Sequence, residues 1–222
     1  MMLRALSLAF SSLSDKRVML VLIKIIALTL AAFMALGVVL WYAIDAAFAY
    51  YLPNDDGMLG AAAALVVLAF SGWILFRSLA IAFTWVFADD IIDAVEDRHY
   101  PFYAAQGQRP SLAKATQMGM RSIGRAVGYN LLMVPVYLLL LVSGVGTPLA
   151  FLALNGYLLG RDLEDMLIAR HGPMRAEIGA IRRFVLGLGS VAAMLIPVLQ
   201  FFVPVLATAA AVHVAHDKTG KI

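Results

Sequence analysis

Charged and polar residues divide this chain so that four long apolar blocks stand out. Val18 to Tyr50 runs for 33 residues with Lys24 and Asp45 as its charges, and it ends in an aromatic group, Trp41, Tyr42, Phe48, Tyr50 and Tyr51. At 1.5 Å per residue this helix is about 50 Å long, more than the roughly 30 Å hydrocarbon core of a bilayer. It has to cross tilted and protrude. The stretch Pro53, Asn54, Asp55, Asp56 and Gly57 forms a turn into a second run, Met58 to Ala88, which contains Arg77. The two blocks read as a transmembrane hairpin whose second helix extends beyond the membrane to about Arg98. In that extension Asp89, Asp90, Asp93, Glu96 and Asp97 interleave with Ile91, Ile92, Ala94 and Val95, the pattern of a helix with one wet face. Asp90, Asp93 and Asp97 share a face at i, i+3 and i+7, which could offer carboxylates to a cation, but with no ligand geometry specified it reads as a solvated charged surface.

The third and fourth blocks have a different shape. Val127 to Val142 is followed by Gly144, Gly146 and Pro148 and then only Leu149 to Leu159 before Arg161. As helices these legs are about 24 Å and 16 Å long, so the second is too short to span a bilayer comfortably. Phe184 to Ile196, a turn marked by Pro197 and Pro204, and Val205 to Val214 repeat the arrangement. Both read as re-entrant helical hairpins, 127–159 and 184–214. Irregular backbone at membrane depth needs cover from protein or an aqueous cavity. Ser111 to Val127, introduced by Pro110 and Ser111, reads as a separate short basic helix at the interface.

Composition agrees with a membrane protein: 63% of residues are hydrophobic and 14% charged, with a mean hydropathy of +0.88. A soluble domain carries about a quarter charged residues. The net charge of +3 does not point to nucleic acid, because fifteen of the seventeen basic residues flank the apolar blocks, all on one side if each hairpin returns to its origin. The positive-inside rule then puts both termini in the cytoplasm. Six full crossings would give the same sides; leg length favours re-entry. The first apolar run begins too late and runs too long for a cleavable signal peptide. There are no cysteines, and no cofactor or phosphate-binding loop is evident. The expected class is therefore an all-α integral membrane protein, with two long transmembrane helices, two half-membrane hairpins and amphipathic cytoplasmic connections.

The stretch Leu154 to Gly172, LNGYLLGRDLEDMLIARHG, places polar residues where an apolar leg leaves the bilayer. Arg161 precedes Glu164 and Asp165 by three and four residues, a spacing suited to ion pairing along one helix. Asn155, inside an apolar leg, calls for hydrogen bonds to another helix. With Gly160 these residues read as a structural latch at the hairpin base. Arg77 lies in an apolar span and is a candidate path cation; Lys24 equally suits snorkelling to the surface. His213 and His216 are three apart on a helix, a spacing that could suit a metal, but without a third ligand an interfacial role is the preferred reading.

From Asn155 through Gly160, Arg161, Asp162 and Glu164 to Arg170 and His171, the chain resembles the sulfate permease CysZ and the related etoposide-induced domain family. The order of elements fits over nearly the whole chain, so residues 1–222 read as one such domain. The resemblance implies an oligomer of oppositely oriented protomers around a sulfate route in a bacterial-type inner membrane, with no enzymatic activity. It also implies an anion site at a helix start, where a glycine-leucine-arginine sequence presents amides and a guanidinium. Here that position reads Ser14, Asp15, Lys16, Arg17. Arg17 matches the family arginine and Lys16 adds a cation, but Asp15 stands where glycine is expected. An aspartate can accept the amide hydrogen bonds that an anion would use, so the capping and anion-binding readings both stand. A non-transporting membrane scaffold of the same fold is the other functional reading.

Overall fold

The computed structural model describes residues 2–51, 86–196 and 199–216. Among these residues there are only helices and turns. The chain divides into two units, Met1–Met19 with Ala88–Ile222, and Leu20–Phe87.

The helices are α1 (Met2–Leu13), α2 (Lys16–Tyr51), α3 (Ala88–His99), α4 (Pro101–Ala104), α5 (Leu112–Leu141), α6 (Gly146–His171), α7 (Pro173–Ala176), α8 (Ala180–Met194) and α9 (Val203–His216). A 3₁₀ turn at Leu199–Phe201 precedes α9. The first expected block is thus one uninterrupted helix of 36 residues. Among the described residues two helices are long and apolar enough to cross a membrane, over Lys16–Ala47 and Leu112–Leu141. The expected second transmembrane helix, 58–88, falls almost wholly outside the described residues, and so does Arg77. Its extension is present as α3, after a turn at Phe87. In the Leu20–Phe87 unit, Lys24 Nζ lies 4.4 Å from the centroid of the Phe87 ring, a cation–π contact.

Two expectations change. The basic stretch after Ser111 is not a separate interfacial helix; it continues without a break through the apolar leg, giving 30 residues of α5. Ser111 caps it by accepting from the Lys114 amide at 3.3 Å, and no residue between there and Leu141 supplies a strong enough stop. Pro135 sits inside this helix, where its ring removes one ladder hydrogen bond. Likewise the apolar leg after Pro148 and the polar stretch that follows form one 26-residue helix, α6. The turn between α5 and α6 depends on Gly144, at φ +70°, a conformation that glycine adopts without the Cβ penalty.

α5 has one half-buried stripe, Met118, Ser122, Arg125, Asn130, Met133, Tyr137 and Leu140, at spacings of three, four and five residues. Over its second half the remaining surface is apolar and open, as at Leu131, Leu132 and Leu139. Such a surface suits lipid tails or another membrane helix. α9 is the opposite case, buried along almost its whole length. It packs within this unit against α1, α3, α8 and α6. Its small residues, Ala207, Ala209, Ala210 and Ala211, let neighbouring backbones approach. α1, which the hydrophobic pattern did not reveal, turns Ala5, Ala9 and Ser12 inward.

The closest helix crossing joins α6 to α8. A Cβ on Gly156 would lie 2.7 Å from Leu188 Cα; one on Gly160 would strike the Arg183 carbonyl, and one on Gly187 the Gly156 carbonyl. Gly156 and Gly160 form a GxxxG pair, the spacing that permits such contact in membranes. Gly160→Ala should therefore lower unfolding stability in detergent by about 1–3 kcal/mol through overpacking. Gly119→Ala, whose Cβ meets open space on α5, should be neutral or stabilising by up to about 1 kcal/mol. Equal stability of the two variants in denaturant titrations would contradict the close crossing.

Candidate anion site and its ion-pair surroundings

The link between α1 and α2 is tight. Ser14 and Asp15 donate their amides to the Ser11 and Ser12 carbonyls at 3.1 and 3.0 Å, and Asp15 then caps α2 by accepting from the Arg17 amide at 2.7 Å. This is the expected N-cap bond from the residue before the first helical turn. Asp15 Oδ2 also accepts from Arg98 at 2.7 Å. Burial alone would raise this carboxyl, but the amide bond and Arg98 outweigh it and hold Asp15 below the usual aspartate range. Arg17 pairs with Asp97 at 2.5 Å, and both side chains remain largely exposed, at 69% and 49%. Lys16 is exposed at the first position of α2. The two cations named for an anion thus do lie together, beside a carboxylate that already uses one of the helix-start amides.

α3 carries the rest of the network. Its acids are not a solvated face, because Arg109 pairs with Asp90 and Asp93, and Asp93 pairs also with Arg170. Arg109 reaches them from the segment before α5, and Arg170 from the last turn of α6. Ile91, Ile92 and Val95 are buried, and so is Glu96, whose side chain is 0% exposed. Glu96 Oε2 accepts from Arg170 Nε at 3.0 Å, while Oε1 lies 2.6 Å from His171 Nε2 and 3.0 Å from His216 Nε2. Burial alone would raise the Glu96 carboxyl; the two imidazole hydrogen bonds and the charge of Arg170 outweigh it and hold it at about 2. Gly107 makes room here, since a Cβ would stand 2.7 Å from Arg170 Nε. His213 belongs elsewhere, hydrogen-bonded to the Tyr100 hydroxyl at 3.0 Å and 3.4 Å from Ser12 Oγ.

Asp162, Glu164 and Asp165 of the polar stretch pair with other parts of the chain, and their partners are not those the spacing suggests. Arg161 does not pair with Glu164 or Asp165; it donates to the Tyr157 hydroxyl at 3.2 Å, one turn back. Glu164, buried, accepts from the Ile178 amide at 2.8 Å and pairs with Arg183 of α8. Asp165 and Asp162 both accept from Arg125 of α5, at 2.6 and 2.7 Å. The charges pair between helices because the glycine crossing brings Arg183 over Glu164 and the α5 stripe carries Arg125 to α6. Asn155 bonds within its own helix, to the Phe151 carbonyl at 2.8 Å, and not to another. Glu96, Arg170, His171 and His216 escaped the sequence reading as a group. One signal was available: Glu96 falls on the same helical side as Ile92 and Val95, where a carboxylate is rarely left unpaired.

Burial separates the energetic weight of these pairs. Glu164→Ala leaves the Ile178 amide and the half-buried Arg183 without their acceptor, and should cost about 3–5 kcal/mol. Asp97→Ala opens only the exposed pair with Arg17 and should cost about 0–1 kcal/mol. Denaturant unfolding of both variants in the same detergent checks the ranking; a reversed order would refute it.

No curated protein and no solved structure matches the chain. A family model does, described as sulfate transporter CysZ/etoposide-induced protein 2.4, over residues 5–204. With that match extending over nine-tenths of its length, and with membrane-length apolar helices in place, the chain belongs to the CysZ/etoposide-induced protein 2.4 family of membrane proteins.

Proposed function

We propose that the protein is an oligomeric facilitator or channel for sulfate or a similar small oxyanion in a bacterial-type inner membrane, with both termini cytoplasmic. The observation that carries this reading is the family match over residues 5–204; the geometry at the start of α2 supplies its chemistry. A helix N-terminus offers unpaired amides and a positive dipole end to an anion. Arg17 and Lys16 stand there as cations, and Arg17 is held by Asp97 in an exposed pair that an incoming dianion can exchange. Asp15 competes for the same amides. Transport on this reading uses no cofactor and no hydrolysis. Glu164, Asp165 and Gly160 keep the hairpin arms in register, and Asn155 and Arg161 bond locally within α6. The open apolar surface of α5 supports packing against an inverted neighbour, which cross-linking in the bilayer would detect.

The second reading, a membrane scaffold of the same fold without transport, draws on the same spot. Asp15 and Arg17 both have protein partners there, as in an ordinary capped and ion-paired helix start.

Sulfate flux into proteoliposomes separates the two. The expected result is flux above empty liposomes, falling about tenfold or more in Arg17→Ala, since a hydrogen bond to a charged group contributes about 1.5–3 kcal/mol. Asp15→Gly, which removes the competing carboxylate, should tighten sulfate binding. Absence of flux above empty liposomes would overturn transport; flux that survives Arg17→Ala would overturn only the site.

A further inference from the structure

We propose that Glu96, His171 and His216 form a binding site for a divalent transition-metal ion of the zinc type, joining α3, α6 and α9. The three residues lie far apart in sequence, yet one ligand atom from each falls within 4.8 Å of the others. Glu96 Oε1 faces both imidazoles, at 2.6 and 3.0 Å from their Nε2 atoms. In a tetrahedral zinc site with bonds of about 2.0–2.1 Å the donors stand roughly 3.3 Å apart. Small side-chain adjustments suffice to open that spacing. Arg170 bonds the other carboxylate oxygen, Oε2, through Nε, so Oε1 is not shared with the guanidinium.

The donors are also held in place. Their side chains are almost fully buried, His171 at 1%, His216 at 0% and Glu96 at 0%. The Tyr103 ring stacks on His216 with centroids 4.1 Å apart and stands edge-on to His171 at 6.2 Å. The two imidazoles meet nearly at right angles, 5.2 Å between centroids. A site whose ligands are fixed before binding loses little entropy on closing.

Charge favours a cation. Asp90, Asp93 and Glu96 supply three carboxylates to this cluster, against the guanidiniums of Arg109 and Arg170, so with neutral imidazoles the group carries net negative charge. Two imidazoles and a carboxylate are a donor set suited to zinc, with a fourth position for water. The ion would act as a staple across three helices of the polar bundle. It requires neither the proposed anion site nor transport.

The test uses tag-free, full-length protein in detergent, stripped with a chelator and titrated with Zn²⁺ by calorimetry, and with Co²⁺ as a spectroscopic probe. The expected result is one equivalent of Zn²⁺ per chain and a rise in melting temperature with zinc concentration, as binding to the folded state demands. His171→Gln and His216→Gln, each checked for native helix content, should weaken binding by more than the tenfold to hundredfold that loss of an outer-shell partner costs. Asp45→Asn, which is not part of the cluster, should bind as wild type does. Failure of the wild-type protein to take up stoichiometric metal would overturn the proposal, leaving the cluster as an ion-pair network of protein groups alone. Uptake undiminished in whichever histidine variant folds would overturn it equally.

Discussion

Backbone contact between α6 and α8 is the constraint on which most of the described architecture depends. Gly156, Gly160 and Gly187 remove the side chains that would hold these helices apart. Once they touch, the register between them has little freedom, because any slide would drive a side chain into backbone. That register sets Arg183 over Glu164 and brings the Ile178 amide to the same carboxylate. α6 itself ends at Gly172, at φ +80° before Pro173, and there delivers Arg170 and His171 to α3. A close apolar crossing thus positions the polar network, although no charged group takes part in it.

The network is a consequence of burying charge in a chain that has little of it. An ionised group removed from water needs a partner of opposite sign and hydrogen bonds for its remaining atoms. Glu164 meets this with an amide and a guanidinium, and Glu96 with a guanidinium and two imidazoles. Each set draws on partners outside the carboxylate's own helix, so each carboxylate ties the tertiary fold as well as that helix. The exposed pair of Arg17 with Asp97 is of another kind, screened by solvent and open to exchange.

These differences explain what was legible in the sequence. The apolar blocks marked α2 and the turn at Gly144 to within a few residues, because lipid-length runs and glycine-proline punctuation are local signals, whereas the helices of the first hairpin, expected over 127–159, begin at Leu112 and end at His171. The cap at Asp15 was legible for the same reason, since an N-cap involves neighbours along the chain. Re-entry of the hairpins rests on leg length alone, and α5 runs 30 residues by absorbing the basic stretch before it. The partners of Glu164, Asp165 and Arg161 were misassigned because spacing of three and four residues reports only who can meet on one helix. Who meets between helices was set by the glycines, and the GxxxG pair at Gly156 and Gly160 was the signal that could have indicated it. The Glu96 cluster needs three helices at once, and no local pattern contains it.

The start of α2 brings these strands together. A helix N-terminus attracts anions because its amides lack intrahelical partners, and a tethered carboxylate satisfies that demand at no translational cost. Asp15 is such a carboxylate, and Arg98 holds it there by a second bond. On the proposed reading, a free oxyanion at this position must displace Asp15 from the amide, or else settle against Arg17 and Lys16 beyond it and displace Asp97 from Arg17. The second route disturbs only an exposed pair, whereas the first breaks the cap of a 36-residue helix. Binding through the side-chain cations is therefore the less costly path, and it leaves the anion weakly held and close to water, as a group that must be passed onward has to be.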